Sequence, residues 1–119
     1  MKIITCEQVS CGHPDKICDQ IADAIVTDVL KNDKNARVAI EVLIKDRHLV
    51  IAGELTSKHN PNYRRLVYDV FKRIGFEKLG YYDPLCIGSE IQILVQQQSP
   101  DIALGVDKGG AGDQGMMYG

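Results

Sequence analysis

The sequence predicts an α+β fold in which a mixed or antiparallel sheet carries two helices on one face. Three observations lead there. Ile17, Ile21, Ile25 and Val29 recur at every fourth position, the stripe of an amphipathic helix. Arg37–Lys45 and His48–Thr56 each alternate around Asp46-Arg47, the pattern of a β-hairpin with a two-residue turn. A second helical stripe (Leu66, Val67, Val70, Phe71, Ile74) is then followed by a third strand-like run from Ile87 to Gln98.

Taken in order, Lys2–Val9 is β-prone and is expected as a strand leading into the first helix. Pro14 suits the first helical position, because its fixed φ matches the helix and its missing N–H would be unpaired there anyway. His13 then falls at the N-cap, and Asn32-Asp33-Lys34-Asn35 supplies a turn after about Lys31. A two-residue turn at Asp46-Arg47 sets Glu41 opposite Ala52 and Ala39 opposite Glu54, so Glu41 and Glu54 become diagonal neighbours on the less apolar face. For the second helix, Asn60 is expected as the cap, Pro61 as the first residue and Gly75 as the stop. Arg64, Arg65, Lys72 and Arg73 read as its solvated side, and Tyr81-Tyr82 as packing in the loop that follows. In the third strand Ile91, Ile93 and Val95 share one side, and Gln92, Leu94, Gln96 and Gln98 the other.

Composition narrows the function classes. The 119 residues suffice for one modest core, and the 45% hydrophobic and 25% charged fractions are those of a globular chain. A net charge of −2, few aromatics and no Trp give neither the basic footprint nor the stacking surface of a nucleic-acid binder. No apolar run approaches a membrane span, and Met1–Thr5 is too short for a signal peptide. Cys6, Cys11, Cys18 and Cys86 form no C-x-x-C pair and no zinc spacing, so reduced thiols in a cytoplasmic protein are expected.

The chemistry-bearing stretch is Gly12-His13-Pro14-Asp15-Lys16. His is a second-rank cap, and Lys16 is a cation beside the positive end of the helix dipole. Both features make sense if an anion docks there. Helix N-termini present free N–H groups to phosphate, and Asp15 could hold a Mg²⁺ that shares its other positions with phosphate oxygens and water. The same residues also describe an ordinary turn into a helix. Glu41 and Glu54, set among Ala and Val, could gather a cation or an ammonium group, or could be a solvated outer face. Ser99–Gly112 is glycine-rich yet keeps apolar residues, which suits a lid over a ligand as well as a plain surface loop. The expected division is a module over 1–98, then a loop and the start of a truncated element over 99–119, since Met116-Met117-Tyr118 opens a new apolar run at the end.

Gly12-His13-Pro14-Asp15-Lys16, Glu41, Gly53-Glu54, Gln98-Ser99-Pro100-Asp101-Ile102 and Gly110-Ala111-Gly112-Asp113-Gln114-Gly115 resemble, in order and spacing, the S-adenosylmethionine synthetase (methionine adenosyltransferase) family. The resemblance covers the whole chain. It implies a reaction of ATP with L-methionine that yields S-adenosylmethionine, with triphosphate expelled and hydrolysed to pyrophosphate and phosphate. It implies that His13 contacts ATP and the leaving triphosphate, that Asp15 binds Mg²⁺, and that Glu41 serves a K⁺ site. Glu54 and Gln98 resemble methionine contacts, and Asp113 an aspartate near the nucleoside. Gln98, Ser99, Pro100, Asp101, Ile102, Gly105, Asp107 and Lys108 resemble the family's mobile active-site loop. Family members are several times longer, build sites between subunits, and assemble as homodimers or dimers of dimers. The chain is therefore expected as an N-terminal portion, inactive alone; a non-catalytic binding or assembly module with weak triphosphate–Mg affinity is the alternative. Relatives usually carry Glu where Cys11 stands, and have a longer stretch between Asp107 and Gly110.

Overall fold

The structure, a computed structural model, describes residues 1–76, 90–97, 108–109 and 116. Helix α1 runs over Pro14–Asn32, strands β1 and β2 over Arg37–Lys45 and His48–Thr56, helix α2 over Tyr63–Ile74, and strand β3 over Ile91–Gln96. The sheet has the order β1-β2-β3. β1 and β2 pair antiparallel, whereas β3 lies parallel to β2, so the sheet is mixed. The parallel pairing follows from the connection: α2 carries the chain back along the sheet between β2 and β3, as parallel neighbours require.

Helix α1 begins where its sequence places it, with Pro14 in the first turn and His13 as the N-cap. Its stripe of Ile17, Ile21, Ile25 and Val29 is buried throughout. Tyr63, Val67, Val70 and Phe71 of α2 join it, with Leu49 and Ile51 of β2 and Ile91 of β3 as the floor. Phe71 meets Phe76 in a tilted ring contact at 5.4 Å between centroids. Both helices thus cover one face of the sheet. The hairpin register matches its expected form, with Glu41 opposite Ala52 and Ala39 opposite Glu54. Asp46 turns the chain at φ 54°, a left-handed conformation that Asp tolerates better than most residues.

Two expectations need correction. Lys2–Val9 forms no strand: the first ten residues are exposed and irregular, with Ile3 and Ile4 more than two-thirds accessible. β propensity describes a fit to a neighbouring strand, and no strand among the described residues pairs with this run. The second cap is Asn62, not Asn60. The Asn62 side chain accepts from Arg65 N–H at 3.1 Å, which delays the helix to Tyr63 and leaves Pro61 two residues ahead of it. Gly75 closes α2 in the left-handed region as expected. The third strand spans Ile91 to Gln96, so Glu90 and Gln97 of its expected span fall outside it, while residues 87–89, Gln98 and Tyr81-Tyr82 lie outside the described residues.

Substitution at the caps separates the two asparagines. Asn62→Ala is expected to lower stability by about 1 kcal/mol in urea titration, whereas Asn60→Ala stays within about 0.5 kcal/mol. Gly53 offers a sharper test. At φ 133° in the middle of β2, a Cβ would sit 2.1 Å from the Ala39 carbonyl oxygen. Gly53→Ala should therefore cost roughly 2–3 kcal/mol by the same titration, because the clash is with backbone that cannot step aside.

Candidate functional site

The N-terminal corner of α1 is built by a short turn. His13 N–H donates to the Ser10 carbonyl at 3.1 Å, closing the turn that delivers the chain to Pro14. The His13 ring then folds onto the helix start, where Nδ1 accepts from Asp15 N–H at 3.2 Å. That bond requires a lone pair on Nδ1, so the neutral ring carries its proton on Nε2. His13 and Asp15 are both exposed, and no hydrogen bond or ion pair engages the Asp15 carboxylate among the described residues. Lys16 pairs with Asp19 at 3.3 Å, an exposed contact of little energetic weight.

Beneath the corner lies a cleft of about 280 Å³ lined by Gly12, Pro14, Ile17, Ile44, Lys45, Asp46, Phe71 and Phe76. The helix start therefore sits beside the β1–β2 turn. A Cβ on Gly12 would reach Phe76 only at 4.0 Å, an ordinary contact, so internal packing does not demand glycine there.

The two sheet carboxylates sit elsewhere. By strand alternation Glu41 and Glu54 point away from the helices, and β3 extends their face with Gln92, Leu94 and Gln96. Leu43 and Leu94 on this face are 65% and 51% exposed, which marks it as uncovered. Neither carboxylate has a hydrogen bond or ion pair among the described residues. Nor does any group of three or more His, Cys, Asp or Glu side chains there come close enough to hold a metal ion. The fold thus brings His13 and Asp15 together, and Glu41 with Glu54, but sets the two pairs on opposite sides of the sheet. Lys108 lies in an exposed turn with Gly109 at φ 80°. Gln98, Ser99, Pro100, Asp101, Ile102, Gly105, Asp107 and Asp113 lie outside the described residues.

The family described as "S-adenosylmethionine synthetase, N-terminal domain" matches residues 1–100. The chain belongs to the S-adenosylmethionine synthetase family. Curated S-adenosylmethionine synthases from Mesoplasma florum and Mycoplasma capricolum are 47% and 48% identical over 99% of this chain. The chain spans 32% and 31% of their lengths. A solved structure described as an unusual S-adenosylmethionine synthetase from Campylobacter jejuni is 43% identical, with a TM-score of 0.67 over 78% of this chain and 26% of that one.

In this synthetase domain the loop after Glu54 is tied down by two carboxylates that sequence reading did not single out. Asp33 accepts from Lys58 N–H at 2.8 Å, from Ser57 Oγ at 3.1 Å and from Asn35 N–H at 3.1 Å. Asp28 meets the His59 ring at 2.7 Å. In the sequence Asp33 reads only as turn chemistry, since two of its three partners, Ser57 and Lys58, are 24 and 25 residues away. Burial pushes the Cys18 thiol and the Tyr63 phenol up, and the Lys45 ammonium hydrogen-bonded to Asp46 holds that carboxyl down.

The Lys58 N–H, with Asn35 N–H and Ser57 Oγ behind it, holds the Asp33 carboxyl below the usual carboxylate range. A depressed folded value means the carboxylate stabilises fully above the ordinary aspartate range and loses that contribution as pH falls through the depressed value. Asp33→Asn is therefore expected to be less stable than the parent at neutral pH, and the two acid-unfolding curves should converge as pH falls.

Proposed function

We propose that this domain supplies the triphosphate corner and part of the methionine site of an enzyme that makes S-adenosylmethionine from ATP and L-methionine, releasing phosphate and pyrophosphate. The observation that carries the reading is the His13 cap. It leaves a proton-bearing Nε2 on an exposed ring at a helix N-terminus, beside an unengaged Asp15 carboxylate. The dispensability of glycine to packing at Gly12 supports close approach of a ligand to the backbone there.

In this reaction the methionine sulfur forms a bond to C5′ of ATP while the C5′–O bond breaks, and its electron pair leaves with triphosphate. No protein nucleophile is required. Negative charge grows on the leaving oxygen, so preorganised donors at that point lower the barrier. His13 Nε2–H and the free N–H groups of the first turn of α1 are such donors. Asp15 fits a Mg²⁺ shared with phosphate oxygens, because a single carboxylate without an all-protein cage is the usual pattern for that ion. Bound there, Mg²⁺ would neutralise charge on the phosphate chain. Glu41 fits as one carboxylate ligand of a K⁺ whose other oxygens come from elsewhere.

Glu54 and Gln98 would hold the methionine at its two ends, and Asp113 would line the nucleoside end. Residues 99–119 would form a second segment, with Gln98, Ser99, Pro100, Asp101, Ile102, Gly105, Asp107 and Lys108 as the loop that closes over the substrates. Because the corner and the glutamates occupy opposite sides of one sheet, a complete site needs a second surface. A second copy packed on the open face would supply it, as a homodimer or a dimer of such dimers. No role with nucleic acid or membrane is assigned, and among the described residues no helix is long and apolar enough to cross a membrane. The reading includes a cytoplasmic location, which the free thiols of Cys6, Cys11 and Cys18 support.

Calorimetric titration with inorganic triphosphate and Mg²⁺ tests the corner. The 119-residue chain is expected to bind weakly and to form no measurable S-adenosylmethionine alone, since it spans about a third of its relatives. His13→Ala should abolish the binding. His13→Asn restores a strong cap but not the imidazole, so it should keep the stability and lose the affinity. Full affinity in His13→Asn would refute the assignment.

A further inference from the structure

One side chain holds the corner in place without belonging to it. The Gln20 carboxamide, half-buried on the second turn of α1, donates from Nε2 to the Cys11 carbonyl at 2.9 Å and to the Lys16 carbonyl at 3.1 Å. The first bond crosses nine residues, from the helix back to the turn that precedes the cap. The second ties the same nitrogen to the carbonyl one helical turn behind it. A carboxamide carries two hydrogens on one nitrogen and so serves both acceptors, whereas a carboxylate has no donor and a hydroxyl has one.

We infer that Gln20 is a positioning residue, a clamp that fixes the Ser10–His13 turn on α1 and so sets where His13 and the backbone N–H groups present themselves to phosphate. The Ser10–His13 turn has one backbone bond of its own, His13 N–H to Ser10 at 3.1 Å. Its residues are exposed, so apolar packing contributes little to its order. The Gln20 amide adds the second tether, and it anchors the turn to a helix whose opposite face is fully buried. Cys11 enters through its carbonyl, which any residue supplies, so the clamp is indifferent to the thiol at that position. The inference rests on the phosphate reading of the corner for its functional half, and on geometry alone for its structural half.

Gln20→Met keeps the length and the helix preference of the side chain while removing both donors. Amide hydrogen exchange and triphosphate–Mg²⁺ calorimetry on the 119-residue chain give the two readouts. The clamp predicts that the His13 amide exchanges roughly two- to tenfold faster in Gln20→Met, the span of one ordinary hydrogen bond. Exchange at Ile21 and Ile25, inside α1, should stay unchanged. Triphosphate affinity should fall by a similar factor, although Gln20 touches no ligand. Unchanged His13 exchange would overturn the inference, and so would equal acceleration along all of α1, which would make Gln20 a general helix stabiliser. Faster His13 exchange with undiminished triphosphate binding would overturn the positioning role. Failure of the parent chain itself to bind triphosphate would sink the phosphate reading, while the exchange rates would still decide the clamp.

Discussion

The structure depends on the burial of one stripe: Ile17, Ile21, Ile25 and Val29 pressed between the sheet and α2. Each buried aliphatic chain removes roughly 1.5–3 kcal/mol of unfavourable hydration, so the stripe outweighs any cap or ion pair by several-fold. Packing therefore decides where α1 lies, and the caps decide only where it begins and ends. Once the stripe is seated, the helix start must emerge beside the β1–β2 turn, with Gly12 and Pro14 facing Ile44, Lys45 and Asp46 across a shared cleft. The proposed phosphate corner is thus placed by the apolar residues of the core.

The same burial leaves the opposite side of the sheet bare. β1 and β2 show the helices their aliphatic rows and show the outside Ala39, Glu41, Val50, Ala52 and Glu54. Accessible carboxylates flanked by apolar residues on an uncovered face would suit capture of a cation or an ammonium group. A single layer of sheet cannot bring that face to the start of α1. Chemistry that needs both a triphosphate donor set and a methionine clamp must therefore be assembled from more than this one surface, which is the physical reason a shared site is the natural reading of the fold.

Much of this was legible in the sequence because it rests on short-range periodicity. The fourfold repeat of α1, the alternation of the hairpin and the Pro14 start all depend on residues within a turn or two of one another, and register followed once Asp46-Arg47 was taken as the turn. The failures share a cause. Lys2–Val9 was read by β propensity, but a strand exists only where a partner does. Asn60-Pro61 fits the statistical start of a helix better than Asn62 does. Yet burial of Tyr63 and the Asn62–Arg65 bond chose the later start. The Asp33 and Asp28 anchors and the Gln20 clamp reach across the chain, from polar residues whose local spacing looks like ordinary helix surface. Sequence patterns report faces; they do not report which polar group on a face finds a distant partner.

His13 shows why a poor cap can be the right residue. A capping Asn or Asp would satisfy the same N–H and stop there, because its acceptor is then used and it has little else to offer an anion. Imidazole has two nitrogens on opposite edges of the ring. With Nδ1 committed to Asp15 N–H, the tautomer is set by the fold, and Nε2 becomes a donor without any need for the ring to be charged. Protonating the ring would add charge toward the phosphate but would remove the lone pair that orients it, so orientation and full charge compete on one side chain. A neutral ring that donates from Nε2, beside the positive end of the helix dipole, would avoid that conflict. Under the proposed function, the second-rank cap is the cost of a fixed hydrogen-bond donor at the helix start.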